Sequence, residues 1–335
     1  MAYVTIREVA QRAGVSVSTV SRALNHAGRV SRVTEARIEQ IAKELDYIPD
    51  SRARAMRSSR TKTVGLLVPD IRNGYFADLA YAIQDTLFKR NYSTFIGTSS
   101  ESGSRQDAFI MSILSQRIDG AIIVPQGEQT RALRQLVARG LPVIFVDRHV
   151  KGMRDVPVVD SDPFPGMESA LRDVRDHGFS KVGYVSGPVL DSPSLQEREL
   201  AFRQVASRLF GEENLFVEST SFDQASCASV LQRMSDVGAD AMIFGYSPDA
   251  VRAMSLLNDT GATPGEEMSM ISFDDLDIFS LSSPKISVIS QQVQEIGHKG
   301  ARLFLDMLAG KKIEFHERVK TIYIPRGSLG TPRIR

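Results

Sequence analysis

Two rhythms of apolar residues divide this chain. Over its first 45 positions they recur at helical spacing: Ile6, Val9, Ala10 and Ala13 make one stripe, Val20 and Leu24 a second, and Ile38, Ile41, Ala42 and Leu45 a third. Three amphipathic helices are predicted. Thr5 and Glu8 have the spacing of a capping box before the first. Gly14 supplies a permissive turn and Ser16 caps a second helix starting at Val17. The third runs over Thr34–Leu45 and stops before Pro49, after which Asp50 or Ser51 can cap one further helix too short to stand alone in water.

From Thr63 the period changes. Short β-branched runs over Val64–Val68, Ser93–Gly97, Gly120–Val124 and Pro142–Val146 are separated by helical patterns over Tyr75–Lys89, Arg105–Arg117 and Thr130–Arg139. Runs over Val182–Val185, Leu215–Glu218, Ala241–Phe244 and Met268–Ser272 repeat the scheme. Buried strands alternating with helices predict doubly wound parallel sheets, here in two similar lobes. In such sheets ligands bind beyond the carboxyl ends of the strands.

Composition adds limits. The chain has 335 residues and a single cysteine, Cys227, which excludes an intramolecular disulfide and a Cys-rich metal site. No apolar run approaches the roughly 20 residues that span a bilayer, and the first residues lack the apolar stretch of a signal peptide, so a cytoplasmic protein is expected. The net charge of +1 hides an asymmetry. Residues 1–60 hold 11 of the 41 Lys and Arg and 6 of the 40 Asp and Glu, leaving 30 and 34 for the remainder. A head of net +5 precedes a body of net −4, a distribution that points to nucleic acid at the head.

On the second helix Val17, Ser18, Ser21 and Arg22 are expected opposite the apolar side, a surface able to enter a major groove with an Arg that forks onto guanine. In the body the strand ends carry Asp70 to Phe76, Asp147 and Arg148, Tyr246 and Ser247, and Asp274 and Asp275. They include no phosphate-cradling glycine loop, zinc-binding His pair or nucleophile elbow. Carboxylates, an arginine fork and aromatic faces suit a polyhydroxylated ligand.

The run Val9–Asn25, VAQRAGVSVSTVSRALN, resembles the helix-turn-helix signature of the lactose-repressor and galactose-repressor family of bacterial transcription regulators. The resemblance implies that Val17, Ser18 and Arg22 read bases, and that Ser16, Thr19, Ser21 and Asn25 contact phosphates or hold the helix against them; Thr5 joins the DNA-contacting set. It also implies that the segment after Tyr47 is a hinge helix that orders on operator DNA. There Arg52, Arg54 and Arg57 lie against phosphates, and Met56 stands where the family carries a minor-groove leucine. The body resembles the family's periplasmic sugar-binding-protein core, from Thr63 through the closing strand motif Pro325–Ser328. Asn73, Tyr75, Phe76, Asp147, Arg148, Arg198, Asp274 and Gln291 resemble the pocket of ribose-type binders, with Tyr246 a departure where Asn is usual. The loop around Asp160 to Pro165, with two prolines, is a further departure.

The expected architecture is an all-α helix-turn-helix head over 1–49, a hinge over 50–61, and a two-lobed α/β core over 62–335. Lobe 1 takes about 62–160 and 292–324, and lobe 2 about 163–290. The expected function is regulation of a catabolic or uptake operon by repression, on double-stranded operator DNA, as a homodimer with a tetramer left open. The effector is sugar-like, ribose or a ribose-containing nucleoside first, and no cofactor, catalytic residue or metal is expected. An enzyme acting on a sugar or nucleoside, with Asp274 and Asp275 as acid and base, is disfavoured because adjacent carboxylates lack the opposed geometry hydrolysis needs. A transport-type sugar-binding protein has no use for the basic head.

Overall fold

A computed structural model describes residues 4–332 except 27, 29, 49–59, 128, 191 and 240. It divides into a unit up to Thr61 and a unit from Lys62. In the first, helices α1 (Ile6–Ala13), α2 (Val17–Leu24) and α3 (Arg32–Glu44) enclose a core of Val9, Ala10, Ala13, Val20, Ala23, Ile38 and Ala42. The Glu8 carboxylate accepts from both the Thr5 amide at 2.6 Å and its hydroxyl at 2.9 Å, fixing the start of α1. Gly14 takes a left-handed φ of 64° and ends it. Helix α3 starts two residues before the predicted Thr34, because Ser31 caps it by accepting from the Thr34 amide at 3.2 Å. Arg37 on α3 donates to the Ala13 carbonyl, tying α3 to the end of α1. The hinge residues Arg52, Arg54, Met56 and Arg57 lie outside the described residues.

The second unit holds two six-stranded sheets built to one plan. The first contains β1 (Thr63–Val68), β2 (Ser93–Thr98), β3 (Gly120–Ile123), β4 (Val143–Val146), β5 (Val158–Asp162) and β11 (His316–Lys320), in the order β11-β5-β4-β3-β1-β2. The second contains β6 (Val182–Pro188), β7 (Leu215–Thr220), β8 (Ala241–Phe244), β9 (Ser269–Phe273), β10 (Ser287–Ser290) and β12 (Ile322–Ile324), in the order β12-β10-β9-β8-β6-β7. Strand for strand the orders match, and all pairings are parallel except β10 with β12. Helices α4 (Gly74–Phe88), α5 (Gly103–Ser115) and α6 (Arg131–Ala138) serve lobe 1, with α12 (Val293–Leu308) packed on α4. Lobe 2 has α7 (Phe164–Asp176), α8 (Pro193–Phe210), α9 (Gln224–Asp236), α10 (Ser247–Asp259) and α11 (Asp277–Leu281). Leu66, Val68, Ile122, Ile144 and Phe304 centre one core layer of lobe 1, while Tyr184, Phe202, Ile243, Phe273 and Ile289 centre one of lobe 2.

Three expectations are corrected. Lobe 1 ends at Lys320 rather than 324, because Ile322–Ile324 pairs with β10 in the second sheet. Thr321 makes the change of lobe, its hydroxyl donating to the Asp162 carbonyl at 2.8 Å and accepting from the Gly166 amide at 2.9 Å. The segment from Asp160 to Pro165 is not a loop: it is the end of β5 and the start of α7, whose first turn tolerates Pro165 because its N–H has no intrahelical partner there. Pro325–Ser328 follows the closing strand instead of forming it; the buried Ser328 hydroxyl donates to the Met270 carbonyl and accepts from the Ser287 amide.

Close packing reaches the strand ends. A Cβ on Gly245, just after β8, would stand 2.0 Å from the Tyr184 hydroxyl. The Tyr184 ring is fully buried and stacked on Phe202 at 4.8 Å, so it has no room to give way. Gly245→Ala is expected to cost about 1–3 kcal/mol, read as a lower urea midpoint with an unchanged slope.

Candidate functional site

Strand β4 ends at Val146, and the next residue turns into the left-handed region, with φ 64° at Asp147. Its amide donates to the Val159 carbonyl of β5 at 2.9 Å. In lobe 2, β9 ends at Phe273, Asp274 has φ 65°, and its amide donates to the Ile289 carbonyl of β10 at 3.0 Å. The same backbone device, used twice, aims one carboxylate from each lobe into the space between them. Ending the strand also frees Asp147 and Arg148 from the alternation that would place them on opposite faces, and Arg148 Nε lies 3.4 Å from Asp147 Oδ2.

Around these carboxylates the polar network is nearly closed. Tyr75, in the first turn of α4, donates to Asp147 Oδ1 at 2.7 Å. Gln291 donates to Asp274 Oδ1 at 2.6 Å and Ser247 to Oδ2 at 2.8 Å, while Ser161 of lobe 1 donates to Gln291 Oε1 at 2.6 Å. Arg198 on α8 donates to the Gly245 carbonyl at 2.8 Å, lies over the Phe273 ring at 4.7 Å and stands 4.0 Å from Asp274 Oδ1. Arg148 lies 5.7 Å from the Phe76 ring and forks onto Glu101. Asp147, Arg148, Arg198 and Asp274 are each 4–5% exposed, so two carboxylates and two guanidinium groups are held out of water together. The remaining opening is lined by Asp147, Asp160, Ser161, Ser194, Glu197 and Arg198, with His149 and Pro163 at its edge. Beside it Arg318 of β11 donates to Glu197 of α8 at 2.7 Å and to Asp160 at 3.1 Å, linking the lobes.

Burial sets the protonation chemistry. It pushes the Tyr75 hydroxyl far above the usual tyrosine range, and the Asp147 charge adds to this. It also raises Asp147 against the pull of Arg148 and Arg198. The Tyr246 hydroxyl is pushed up to about 12, by burial first and then by Glu101 across the cleft. A carboxyl raised in the folded state contributes stability below the ordinary aspartate range and loses it as pH rises through its folded value. Asp147→Asn, which mimics the protonated form, is therefore expected to gain stability relative to the wild type as pH rises from 4 to 7. Urea unfolding across that range checks the sign.

Most of the anticipated cleft residues meet here, with differences. Asn73 caps α4, its side chain accepting from the Tyr75 amide at 3.1 Å, and Phe76 belongs to the apolar core beneath Arg148. Tyr246 is half-buried at the start of α10 and fills the space a Gly187 side chain would need. Asp275 turns away to Arg326 at 2.7 Å, and Asp70 is held by Arg72. Ser247, noted at its strand end, holds Asp274, and Glu101, Gln126 and Ser161 join the site without having been singled out; each of the three follows or ends a strand, the one signal that marks them.

In the head, Ser18 and Arg22 are exposed, with Val17 41% exposed. Ser21 is a correction: it is buried beside Val20, because its angle about α2 falls toward the apolar side, while its carbonyl accepts from Asn25 Nδ2 at 2.6 Å. Ser16 accepts from the Thr19 amide at 3.2 Å, capping α2, and its hydroxyl also meets those of Ser18 and Thr19. Among the described residues one group could offer three ligands to a cation, His26 with Glu35 and Glu39, but it is largely exposed and His26 already bonds Glu35 at 2.5 Å. No helix among the described residues is long and apolar enough to cross a membrane.

A three-helix head with an exposed α2 face, followed in the chain by a two-lobed α/β core, defines the class of DNA-binding regulators. Residues 5–50 match the model of bacterial regulatory proteins, lacI family, and residues 171–329 that of a periplasmic binding protein-like domain. The ribose operon repressor of Halalkalibacterium halodurans is 26% identical over 312 residues, 92% of each chain. In fold the chain is similar to a lac repressor dimer bound to operator and the anti-inducer ONPF, at a TM-score of 0.85 and 21% identity over 98% of this chain and 99% of that one. It is likewise similar to a LacI family regulator of Enterococcus faecium with bound ribose, at 0.72 and 24% over 81% and 100%. The chain is similar along its length to repressors of the lacI family. It is a DNA-binding transcriptional repressor and not an enzyme.

Proposed function

We propose that this repressor controls a catabolic or uptake operon through a small sugar held between its lobes, with ribose or a ribose-containing nucleoside as the first candidate. The observation that carries the reading is the pair of left-handed strand-end carboxylates, Asp147 and Asp274, flanked by Arg148 and Arg198. Carboxylates accept from neighbouring hydroxyls and guanidinium groups donate, while the Phe76 and Phe273 rings beneath Arg148 and Arg198 hold those groups in place. The ribose operon repressor among the relatives and the ribose in the Enterococcus faecium structure support the choice of sugar.

In this reading residues 1–49 read the operator, 50–61 form the hinge and 62–335 sense the effector. Val17, Ser18 and Arg22 contact bases; Thr5, Ser16, Thr19, Ser21 and Asn25 face phosphates or seat the helix; Arg52, Arg54, Met56 and Arg57 act in the hinge. A single head reads few base pairs, so the repressor works as a homodimer on near-palindromic DNA in the cytoplasm. Closure of the lobes changes the spacing of the hinges. Driving the population from 1:99 to 99:1 requires the effector to prefer one state by roughly 10⁴.

A thermal-shift series on the full chain tests the choice. Ribose or a ribonucleoside at 100 times its Kd should stabilise the fold by about 2.7 kcal/mol. Unchanged melting with every pentose and nucleoside would discard it.

A further inference from the structure

Lobe 1 holds more buried donors than acceptors where β2, β3 and β4 end. Arg148 gives two N–H bonds to Glu101, at 2.8 and 3.0 Å, and one to Gln126 Oε1 at 3.3 Å. The Gln126 amide in turn donates to Gln106 Oε1 at 2.8 Å. These bonds use the oxygens of both side-chain amides and leave their nitrogens over. Gln106 Nε2, Gln126 Nε2, Arg148 Nε and the Ser99 hydroxyl are all buried without a hydrogen-bond partner among the described residues. Arg148 Nε has the Asp147 carboxylate 3.4 Å away as an ion-pair partner, and the two glutamine nitrogens have none. Nearly every buried polar group in a folded protein is paired, so two spare amide donors joined to Arg148 mark a place where acceptors belong.

Glu101 is the member of this network best able to leave. It stands in the turn between β2 and α5, where Ser100 and Glu101 both take left-handed φ values of 48° and 56°. Its side chain keeps 20% of its exposure against 5% for Arg148. A turn of that side chain toward solvent would uncover the guanidinium fork.

We propose that Glu101 is a displaceable internal ligand, and that the effector bears an oxyanion which takes its place on Arg148. This rests on the reading of the cleft as the effector site. Charge favours exchange over addition: Asp147, Asp274 and Glu101 already face only Arg148 and Arg198. A further anion would add to an acidic excess that is shielded from water, whereas an oxyanion replacing Glu101 leaves the balance unchanged. The fork of Arg148 matches a carboxylate or a phosphate in two parallel bonds, and the spare amide N–H groups of Gln106 and Gln126 supply further donors beside it. The hydroxylated remainder of the ligand then meets Asp147, Asp274 and Gln291. The ligand class is a monosaccharide carrying an acidic group, a sugar acid or a sugar phosphate.

Isothermal titration of the full chain with D-ribose, D-ribonate and ribose 5-phosphate tests this, alongside Glu101→Gln and Glu101→Ala. The wild type is expected to bind one of the two acidic ligands at least about tenfold more tightly than ribose, and which one identifies the oxyanion as carboxylate or phosphate. Both variants should tighten that ligand by a further factor of about ten relative to ribose, since it no longer competes with Glu101. Glu101→Gln keeps the side chain's volume, and matched melting curves show that each variant is folded. Weaker binding of the acidic ligands by both variants would overturn the proposal, because Glu101 would then be supporting the site. So would preference for ribose over both acids in all three proteins, an outcome that leaves the sugar cleft itself standing. Silence from all three ligands in every protein overturns the proposal too; joined to silence from nucleosides, it removes the cleft reading as well.

Discussion

Asp274→Ala is expected to bind its operator normally and to lose the response to effector concentrations that change operator occupancy in the wild type. The Asp274 carboxylate is the central acceptor of lobe 2, taking Gln291 on one oxygen and Ser247 on the other, with Arg198 at 4.0 Å. Hydrogen bonds to a charged group contribute about 1.5–3 kcal/mol each. Without two ligand hydrogen bonds of that kind, effector affinity falls by roughly a hundredfold or more. Removal also takes one of the two carboxylates near the buried Arg198 and leaves Gln291 and Ser247 without their shared acceptor, which costs about 1–3 kcal/mol of core stability for each unpaired group. Operator binding is unaffected at temperatures where the core stays folded. Asp274→Asn, which keeps one acceptor and the side chain's shape, separates the two effects: it recovers much of the stability while the effector response stays weak. A titration of operator complex against effector, run beside a melting curve for each variant, reads both. A normal response in Asp274→Ala would remove the carboxylate from the effector site.

The second large effect belongs to the head. Arg22 stands exposed on α2 beside Ser18, and the stem of its side chain is the nearest neighbour to any Cβ placed on Gly28. A bidentate arginine on guanine contributes about 1–3 kcal/mol of discrimination. In a dimer on a near-palindrome the loss counts twice, so Arg22→Ala is expected to weaken the preferred operator by roughly a hundredfold while binding to unrelated DNA hardly changes. Salt dependence distinguishes the roles. Removing a side chain that neutralises a phosphate flattens the slope of log affinity against log salt by about one, and removing a base-reading arginine leaves it almost unaltered. A flattened slope with unchanged sequence preference would move Arg22 to the phosphate set.

Much of this arrangement was legible because the underlying physics is local. The stripes at Val9, Val20 and Ile38 named the head's core, and the apolar runs of β1, β3, β4 and β8 could bury only as parallel strands. Asp147 and Asp274 drew notice simply by following such runs. What escaped notice was polar or shared. Strand β5 reads VVDSD and ends in the residues that line the cleft, while β11, HERVK, is a mostly uncovered edge. Neither has an apolar pattern to announce it. Ser21 sits at the boundary of the α2 stripe, where a small side chain is buried as readily as exposed. Glu101 is 47 residues from Arg148 in sequence, within a run of small polar residues, and only the fold brings the two together.

The chain passes between the lobes three times: from β5 into α7, from β10 into α12, and from β11 into β12. Three backbone connections tie the two lobes, so no single one carries their union. A backbone cut at any one passage leaves two intact, and the nicked protein should keep its lobes together through size-exclusion chromatography.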